Sequence, residues 1–519
     1  MPGSLPDSVS EAWVARYNGS GGISLDLATS VVIDPSGNVH VTGLSGGDCA
    51  TIKYSASGQE LWAARYDGAG VSGDWANAIA LDDSGNVYVT GYASEPSTGS
   101  SDFLTIKYNA SGQEQWVVLY NGPGDYYDEA NAVVTGNQGD VYITGYSFGL
   151  GTTGDYATIK YDAAGQLQWV VRYNGPGTGY DESIALAIDA SGNLYVTGYS
   201  PGAGTSLDYA TIKYDPSGEE QWVARYNGPG TGYDYGYDIA VDDLGNVFVT
   251  GLSGGDYGTI KYDASGQEQW VARYDGGSSD YASALALNGS GDVFVTGHSS
   301  DPGTSEDYVT IRYNAAGEEQ WIARYNGPGN LTDHASALVI DGSGNIYVTG
   351  NSTGAGTGND YATIKYDASG EEQWVARYDA AGSDDRGTAI VLDVSGNLYV
   401  TGLSEDTLTN YDFATIKYEP ALTGVSDGGG APTHFSLNQN YPNPFNPTTT
   451  FEFSIPSSLF ANLSIYNLLG EKVAIVVNEQ LSAGTHRLSW NATGQASGVY
   501  VYRLQAGGFT ETRKLVLLR

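Results

Sequence analysis

The chain has 519 residues, of which 22 are basic and 60 acidic, and its formal net charge is −38 at pH 7. This charge disfavours nucleic acid and anionic membrane surfaces as partners, because both are negatively charged. The sequence has no long apolar run, so we expect no membrane insertion. The single Cys49 excludes an internal disulfide framework and disfavours a cysteine metal site.

A repeated pattern follows a predicted N-terminal extension, residues 1–10. Each repeat contains a segment W-x-x-x-Y, a VTG or ITG triplet and a tetrapeptide TIKY or TIRY, at a spacing of roughly 51 residues. In the second repeat the predicted strands are 77–82, 86–91, 103–108 and 115–120, and the turns carry Gly where a tight hairpin needs a positive φ. The eight Trp residues are Trp13, Trp62, Trp116, Trp169, Trp222, Trp270, Trp321 and Trp374.

The strands do not alternate between polar and apolar residues. In NVYVTG, Val87 and Val89 fall on one side and Tyr88 on the other, which is typical of strands covered on both faces. Four-stranded blades that are stacked radially meet that condition. The predicted fold class is therefore all-β, with an eight-bladed β-propeller over residues 11–419.

The ends of the repeat region predict how the ring closes. Trp13–Tyr17 precedes every other strand, whereas Thr415–Tyr418 has no Trp strand after it. We therefore expect the N-terminal strand to complete the last blade. A linear array is the alternative, and it would leave both ends unpaired.

The order of motifs, D-x-S-G-N-x-Y-V-T-G followed by D-Y-A-T-I-K-Y, resembles the SBBP-type β-propeller repeats. That family is named for seven blades, whereas this chain shows eight sets. The resemblance implies a secreted or surface propeller and no particular reaction.

A different module follows Glu419. Residues 420–434 read as a flexible linker rich in Gly, Pro and Ser, and residues 435–519 show alternating apolar residues that predict a small Ig-like β-sandwich. NYPNPFNPTT, IYNLLGEKV, AGTHRLSWN, SGVYVYRL and the terminal TRKLVLLR resemble the type A sorting domain of the type IX secretion system. The resemblance implies the secretion machinery as a partner of residues 435–519, removal of the domain, and a secreted or surface location. Export by this route needs a signal peptide, and MPGSLPDSVSEAW has no basic or apolar region of that kind, so we expect a truncated start.

Basic residues recur in register, which favours a structural role. Seven Arg lie in the Trp segments and eight Lys or Arg lie in the TIKY or TIRY segments. Their aliphatic stems can pack between blades while the charged ends meet a carboxylate or an aromatic face. In DYATIKYDASGEEQWVARY, we expect Lys365, Trp374 and Arg377 to pack blades together.

Acidic residues form two predicted rings at one end of the propeller. The first ring is Asp26, Asp74, Asp128, Asp181, Asp234, Asp280, Asp333 and Asp385. The second ring is Asp48, Asp102, Asp155, Asp208, Asp256, Asp307, Asp360 and Asp412. They either accept backbone N–H groups of their loops, the interpretation we favour, or form a face that attracts cations.

Other sequence features give little evidence for a metal or a catalytic centre. The D-x-S-G-N turns, as in Asp82, Ser84 and Asn86, distantly resemble a calcium loop, but hairpin chemistry explains them more simply. His40, His298 and His334 fall in different repeats, so no His cluster is evident. We expect no catalytic residues and no cofactor, and leave calcium open.

The loops that enter the third to fifth blades break the symmetry of the repeats. The candidate ligand-binding residues there are Tyr126, Tyr127, Tyr180, Tyr233, Tyr235 and Tyr237, with Asp128, Asp181 and Asp234. Tyr rings beside carboxylates stack on sugars and hydrogen-bond their hydroxyls, although loop anchoring explains them equally well.

Three functions remain open from sequence. The first is a non-enzymatic binding or adhesion module for a glycan or protein ligand, expected to be a monomer. The second is a surface scaffold without a specific ligand. The third is a polysaccharide hydrolase or lyase that uses Asp pairs, which needs one carboxyl with a raised pKa.

Overall fold

Hairpin turns at regular intervals force each strand to pair with its neighbours in sequence. The computed structural model describes residues 9–19, 24–68, 73–95, 98–277, 280–300, 305–380, 384–406, 410–420, 434–440, 443, 445, 447–467, 472–492 and 495–518. Most of the expected N-terminal extension (1–8) and of the linker (421–433) lies outside these residues. Across the described part of the chain, no helix has the length and apolar character that a membrane-spanning helix needs.

The strands of the repeat region form eight blades. The first strand is β1 (Val9–Tyr17). Blade 1 consists of β2 (Ser24–Ile33), β3 (Val39–Ser45), β4 (Asp48–Tyr54) and β5 (Glu60–Tyr66), and blade 2 of β6 (Trp75–Leu81), β7 (Val87–Glu95), β8 (Ser100–Tyr108) and β9 (Glu114–Tyr120). Blade 3 consists of β10 (Asp128–Thr135), β11 (Val141–Phe148), β12 (Gly154–Tyr161) and β13 (Leu167–Tyr173), and blade 4 of β14 (Glu182–Ile188), β15 (Leu194–Pro201), β16 (Leu207–Tyr214) and β17 (Glu220–Tyr226). A short 3₁₀ turn, Asn137–Gly139, precedes β11.

Blades 5 to 8 continue the same order. Blade 5 consists of β18 (Asp234–Val241), β19 (Val247–Ser253), β20 (Asp256–Tyr262) and β21 (Glu268–Tyr274), and blade 6 of β22 (Asp280–Leu287), β23 (Val293–Ser300), β24 (Glu306–Tyr313) and β25 (Glu319–Tyr325). Blade 7 consists of β26 (Asp333–Ile340), β27 (Ile346–Thr353), β28 (Asn359–Tyr366) and β29 (Glu372–Tyr378). Blade 8 contains β30 (Asp385–Leu392), β31 (Leu398–Asp406) and β32 (Asn410–Pro420). In each complete blade the four strands pair in chain order.

The N-terminal strand completes blade 8, as the sequence predicts. Strand β1 pairs with β32, and its Trp13 Nε1 donates to the carbonyl of Ala56 in blade 1 at 3.1 Å. Buried residues of blades 8 and 1, including Phe413 and Val41, share one core. The ring is therefore closed by strand pairing and by packing.

Neighbouring blades are joined by hydrogen bonds from the Trp of the fourth strand and the Lys of the TIKY segment. Trp62 Nε1 and Lys53 Nζ of blade 1 both donate to the carbonyl of Ala110 in blade 2, at 3.3 and 3.4 Å. Lys107 of blade 2 also lies over the ring of Tyr88, 5.0 Å from its centroid. The packing role expected for the Trp and Lys positions of the repeat is confirmed at these residues.

Buried Tyr residues add a second bond between blades. Tyr156 and Tyr308 donate their hydroxyls to the carbonyls of Ala210 and Ala362 in the following blade, at 3.0 and 3.2 Å. A buried carbonyl needs a donor, and the side chain of the neighbouring blade supplies it.

The first strands of neighbouring blades contact each other around the ring. Asn77 and Asn131 donate to backbone carbonyls of the next first strand, Ala130 and Ser183, both at 2.9 Å. The pairing of each first strand with the second strand contains a register shift. A backbone carbonyl of the first strand then lies so close to the VTG glycine that an added Cβ would overlap it, as the Glu129 carbonyl does at Gly145. The first strands therefore form the innermost layer.

Residues from Pro420 onward form a second compact unit. Its strands are β33 (Ser436–Leu437), β34 (Thr448–Ile455), β35 (Leu459–Tyr466), β36 (Lys472–Leu481), β37 (Gly484–Asn491), β38 (Gly498–Ala506) and β39 (Phe509–Leu517). They form two sheets, β33-β34-β37 and β36-β35-β38-β39, around one core that contains Phe451, Leu463 and Tyr502. This arrangement is the β-sandwich predicted from sequence.

The Asn-rich motif at its start docks on the last strand and on Tyr502. Val516 N donates to Asn443 Oδ1 at 2.9 Å, and Asn440 N donates to the Tyr502 hydroxyl at 2.9 Å. Phe445 is buried and bonds to β39 through its backbone. These contacts join the motif to the C-terminal strand and to Tyr502.

Candidate ligand-binding face and inner belt

The first Asp ring holds the loops that enter the blades. Asp128 accepts backbone N–H groups from Gly122 and Phe148, at 2.5 and 2.9 Å. Gly175 and Gly228 donate in the same way to Asp181 and Asp234, at 3.1 and 3.0 Å. All three carboxylates are buried, so they are placed to support the loops and not to present an oxygen to a ligand.

The second Asp ring pairs with the Arg residues of the Trp strands. Asp128 and Asp155 both align with Ser147 across the sheet, so the two rings lie at the same end, as predicted. Arg172 binds Asp155 at 2.9 Å and also donates to Ser147 Oγ. The other described pairs are Arg16–Asp412, Arg65–Asp48, Arg225–Asp208, Arg273–Asp256, Arg324–Asp307 and Arg377–Asp360.

Blade 2 lacks this bridge. Leu119 stands where other blades have the Arg, and Ala93 stands where they have the Ser. Asp102 is retained and buried, and burial, with the nearby carboxylates of Asp128 and Glu95, raises its pKa to about 6. The end of blade 2 is therefore built differently from the rest of the ring.

The candidate Tyr residues form two groups at the loop end of blades 3 to 5. Tyr126, Tyr127, Tyr180 and Tyr233 are exposed by 40–57%, whereas Tyr235 and Tyr237 are half-buried. The first group is joined by Phe148, whose ring lies 5.1 Å from that of Tyr126 and 5.6 Å from that of Tyr180. The second group packs through Tyr235, with the rings of Tyr233 and Tyr237 both 5.9 Å away.

A belt of side chains, most of them half-buried, lies beside these loops on the first and second strands of the blades. The residue after each first-ring Asp pairs across the sheet with the residue after each VTG glycine, as Glu129 pairs with Tyr146. We call this set in blades 2 to 7 the inner belt. It consists of Trp75, Tyr92, Glu129, Tyr146, Glu182, Tyr199, Tyr235, Leu252, Tyr281, His298, His334 and Asn351.

Two carboxylates of the inner belt are held by Tyr hydroxyls. Tyr146 donates to Glu129 at 3.2 Å, and Tyr199 donates to Glu182 at 2.5 Å. Asn77 also donates to Glu129, at 3.2 Å. Burial, and then the nearby charge of Glu182, raises the pKa of Glu129.

Aromatic contacts join the belt residues of blades 4 and 5 and those of blades 6 and 7. The ring centroids of Tyr199 and Tyr235 lie 4.7 Å apart, and those of Tyr281 and His298 lie 5.0 Å apart. The rings of His298 and His334 are only 4.1 Å apart. The expectation that the His residues are scattered was therefore wrong for this pair, because adjacent blades bring two distant segments together.

Sequence reasoning singled out the loop Tyr residues but missed most of the inner belt. The position after each first-ring Asp holds Trp75, Glu129, Glu182, Tyr235, Tyr281 and His334 in successive blades, although the flanking residues recur. That variation within a regular repeat was the available signal.

Cavities occur at both ends of the blades. A cavity of about 290 Å³ at the loop end is lined by Tyr92, Tyr127, Glu129 and Tyr146, and by Ser100, Ser101 and their neighbours. Two larger cavities, about 540 and 430 Å³, lie between D-x-S-G-N-type turns at the other end. Of these three cavities, the smallest one is lined by inner-belt residues and by Tyr127.

The D-x-S-G-N turns use their oxygens internally. Asp82 accepts hydrogen bonds from the backbone of Ser84 and Asn86 and from the Tyr88 hydroxyl, at 2.9, 2.9 and 3.1 Å. These bonds lower the pKa of Asp82 despite the opposing effect of burial. The turn therefore has the contacts of a hairpin, the interpretation favoured from sequence.

Comparisons with known sequences agree with these two units. Residues 439–518 match the secretion system C-terminal sorting domain, and residues 65–96, 221–258 and 320–356 match the SBBP beta-propeller repeat. The chain therefore contains SBBP-type repeats within its propeller and a C-terminal region that matches the type IX sorting domain. The sorting domain implies a secreted or cell-surface protein and the type IX secretion machinery as a partner. No curated protein sequence matches the chain significantly.

Solved structures similar to the SBBP propeller are distant. A fungal alcohol oxidase in complex with copper is 13% identical, with a TM-score of 0.41, over 85% of this chain and 96% of that one. A protein from Lactobacillus plantarum is 15% identical, with a TM-score of 0.41, over 64% and 91%. Drosophila Plexin A in complex with Semaphorin 1b is 10% identical, with a TM-score of 0.36, over 80% and 88%. These similarities carry no argument about function.

Proposed function

We propose that the protein is a secreted or surface-attached module that binds a glycan at the loop end of blades 2 to 5, without turnover. The observation that carries the proposal is the convergence of exposed Tyr rings with hydrogen-bonding carboxylates at this one sector. Tyr126, Tyr127 and Tyr180 supply the rings, and Glu129 and Glu182 supply the carboxylates.

Sugars need both kinds of group. Their C–H faces pack on aromatic rings, while their hydroxyls need acceptors and donors placed at the ring edge. Tyr127 and Glu129 line the same cavity of about 290 Å³, together with Tyr92 and Tyr146. A single sugar unit fits a cavity of this size, and the exposed Tyr126–Phe148–Tyr180 row extends the surface for further units.

The burial of the Asp side chains in the two rings favours ligand binding over hydrolysis. Asp102 and Asp181 have the raised pKa that an acid catalyst needs, about 6 through burial in each case, but both side chains are buried, and Asp181 accepts the Gly175 N–H. A carboxyl in that position does not reach a glycosidic oxygen. Stacking and hydrogen bonding also need no cofactor, so the proposal includes none.

The test is a glycan array probed with the full chain and with Tyr127→Ala, Tyr180→Ala and Tyr233→Ala variants. We expect each loss of a stacking ring to weaken binding of the preferred glycan roughly 10-fold, or about 1.4 kcal/mol. Tyr127→Phe keeps the ring and should retain most of the affinity. Leu244→Ala is the matched control, because Leu244 is 80% exposed in a turn at the opposite end.

The outcomes separate the alternatives. If no glycan binds, the proposal fails, and capture of a protein ligand or of no ligand then favours a protein receptor or a plain scaffold. If binding survives all three Tyr changes, the site lies elsewhere. Shortening of a bound polysaccharide would contradict the absence of turnover.

A further inference from the structure

Three side chains of blades 6 and 7 meet at the end of the inner belt. His298 lies near the end of β23, Glu306 begins β24 of the same blade, and His334 lies on β26 of the next blade. One ligand atom of each lies within 4.8 Å of the other two. His334 Nε2 and Glu306 Oε2 are 2.6 Å apart.

We propose that His298, Glu306 and His334 bind one divalent transition-metal ion, with zinc as the ion used to test the site. The proposal is separate from the glycan face and does not depend on it.

The repeat supplies no structural reason for these residues. His298 occupies the position after the VTG glycine. In other blades this position holds residues such as Tyr146, Tyr199 and Leu252, and no other blade has a His there. The position before the second-ring Asp is occupied by Glu only at 306. In the other blades it is Gly47, Ser101, Gly154, Leu207, Gly255, Asn359 and Tyr411. Three independent departures from the repeat therefore meet at one point.

The donor set selects the class of ion. Two imidazole nitrogens and one carboxylate oxygen suit zinc and neighbouring first-row metals, whereas calcium and magnesium prefer oxygen ligands throughout. Zn–N and Zn–O bonds are about 2.0–2.2 Å, so neighbouring ligands of a tetrahedral ion lie about 3.3 Å apart. Small rotations of His334 and Glu306 reach that spacing.

The surroundings orient the ligands and leave the site open to solvent. Tyr281 stacks on His298 at 5.0 Å, which fixes the imidazole plane. His298 Nδ1 is buried and has no hydrogen-bond partner among the described residues. The side chains of His334 and Glu306 are 36% and 31% exposed, so an ion can enter, and three protein ligands leave a coordination position free.

The test uses the full chain, purified without a histidine tag. Calorimetric titration with zinc should show one tight site per chain, and cobalt(II) should give the visible absorption of a site with nitrogen ligands and low coordination number. His298→Ala, His334→Gln and Glu306→Gln should each weaken zinc binding more than about 10-fold, at least the effect of losing an outer partner of a metal site. His486→Ala, in the sorting domain, should leave it unchanged.

Folding controls keep the result decisive. Near-ultraviolet circular dichroism should show that each variant retains native packing. The proposal is overturned if folded wild type binds no zinc, if the His298→Ala and His334→Gln double variant binds it equally well, or if His486→Ala abolishes binding.

Discussion

Tyr side chains of this chain differ widely in burial, according to whether they lie on a strand between blades or in a loop. Tyr308 is fully buried and donates to Ala362 at 3.2 Å, whereas Tyr180 is 50% exposed in a loop. The buried Tyr lies on the strand that carries the TIKY or TIRY segment, whereas the exposed Tyr residues lie in glycine-rich loops. Residue type alone therefore does not assign function here.

Removing the buried hydroxyl should destabilise the propeller without affecting ligand binding. Tyr308→Phe leaves the carbonyl of Ala362 without this donor, and we expect a loss of about 1 kcal/mol in the free energy of unfolding. Urea unfolding followed by Trp fluorescence measures it. Tyr180→Phe is the control and should be neutral, so an equal loss in both variants would contradict the role assigned to the buried bond.

Blade 2 offers a test of the Arg–Asp bridge through its pH dependence. The folded-state pKa of Asp102, about 6, exceeds its usual value of 3.8, so its contribution to stability is full at low pH and is lost as pH rises through about 6. Leu119→Arg should pair with the ionised carboxylate, as Arg172 pairs with Asp155 at 2.9 Å. The variant should therefore gain stability over wild type mainly above pH 6.

Thermal unfolding at pH 5 and pH 7.5 checks this difference. Leu119→Gln adds a polar side chain without charge and should show no pH-dependent gain. An equal gain for Leu119→Arg at both pH values would mean that Asp102 is not the partner.

At the scale of elements, the hairpin between the third and fourth strands of a blade contacts the Trp strand of the preceding blade. Gly112 sits in such a hairpin at φ 79°, under the Trp62 ring of the preceding blade. A Cβ on Gly112 would approach Trp62 Cδ2 to 2.5 Å. The glycine is therefore required both by the turn and by the neighbouring ring.

Gly112→Ala and Gly396→Ala together separate these two requirements. Gly396 has φ 81° in a turn where an added Cβ meets nothing within 4 Å, so its substitution should cost only the backbone strain, about 1–2 kcal/mol. Gly112→Ala should cost a further ~1–3 kcal/mol from overpacking against Trp62. Denaturant unfolding of both variants measures the difference, and equal losses would show that the Trp contact contributes nothing.

At the scale of the whole molecule, the sequence predicted the repeated features and missed contacts that depend on how two blades pack. The closing strand from Trp13 to Tyr17 and the packing of Lys365, Trp374 and Arg377 follow from register. His298 and His334 escaped notice because their contact depends on how two blades pack, which no local pattern reports. The use of Asp128 as a loop cap, in contrast, is the interpretation favoured from sequence, and the N–H groups of Gly122 and Phe148 confirm it.

Closure of the ring depends on the N-terminal strand. Strand β1 pairs with β32, Arg16 binds Asp412 at 3.0 Å, and Trp13 packs near Tyr54 and Tyr399. Deleting residues 1–18 removes all of these and leaves the outer edge of β32 unpaired, a surface that recruits other strands. We expect a lower melting temperature and concentration-dependent association, measured by calorimetry and size-exclusion chromatography.

Two controls tie that result to the strand itself. Deleting only residues 1–8 should leave melting unchanged, since β1 begins at Val9. A synthetic peptide of residues 9–18 should bind the shortened chain and restore its melting temperature, because the edge of β32 then regains its partner. A shortened chain that stays monomeric and melts like wild type would favour independent, linearly arrayed blades over a ring held closed by its first strand.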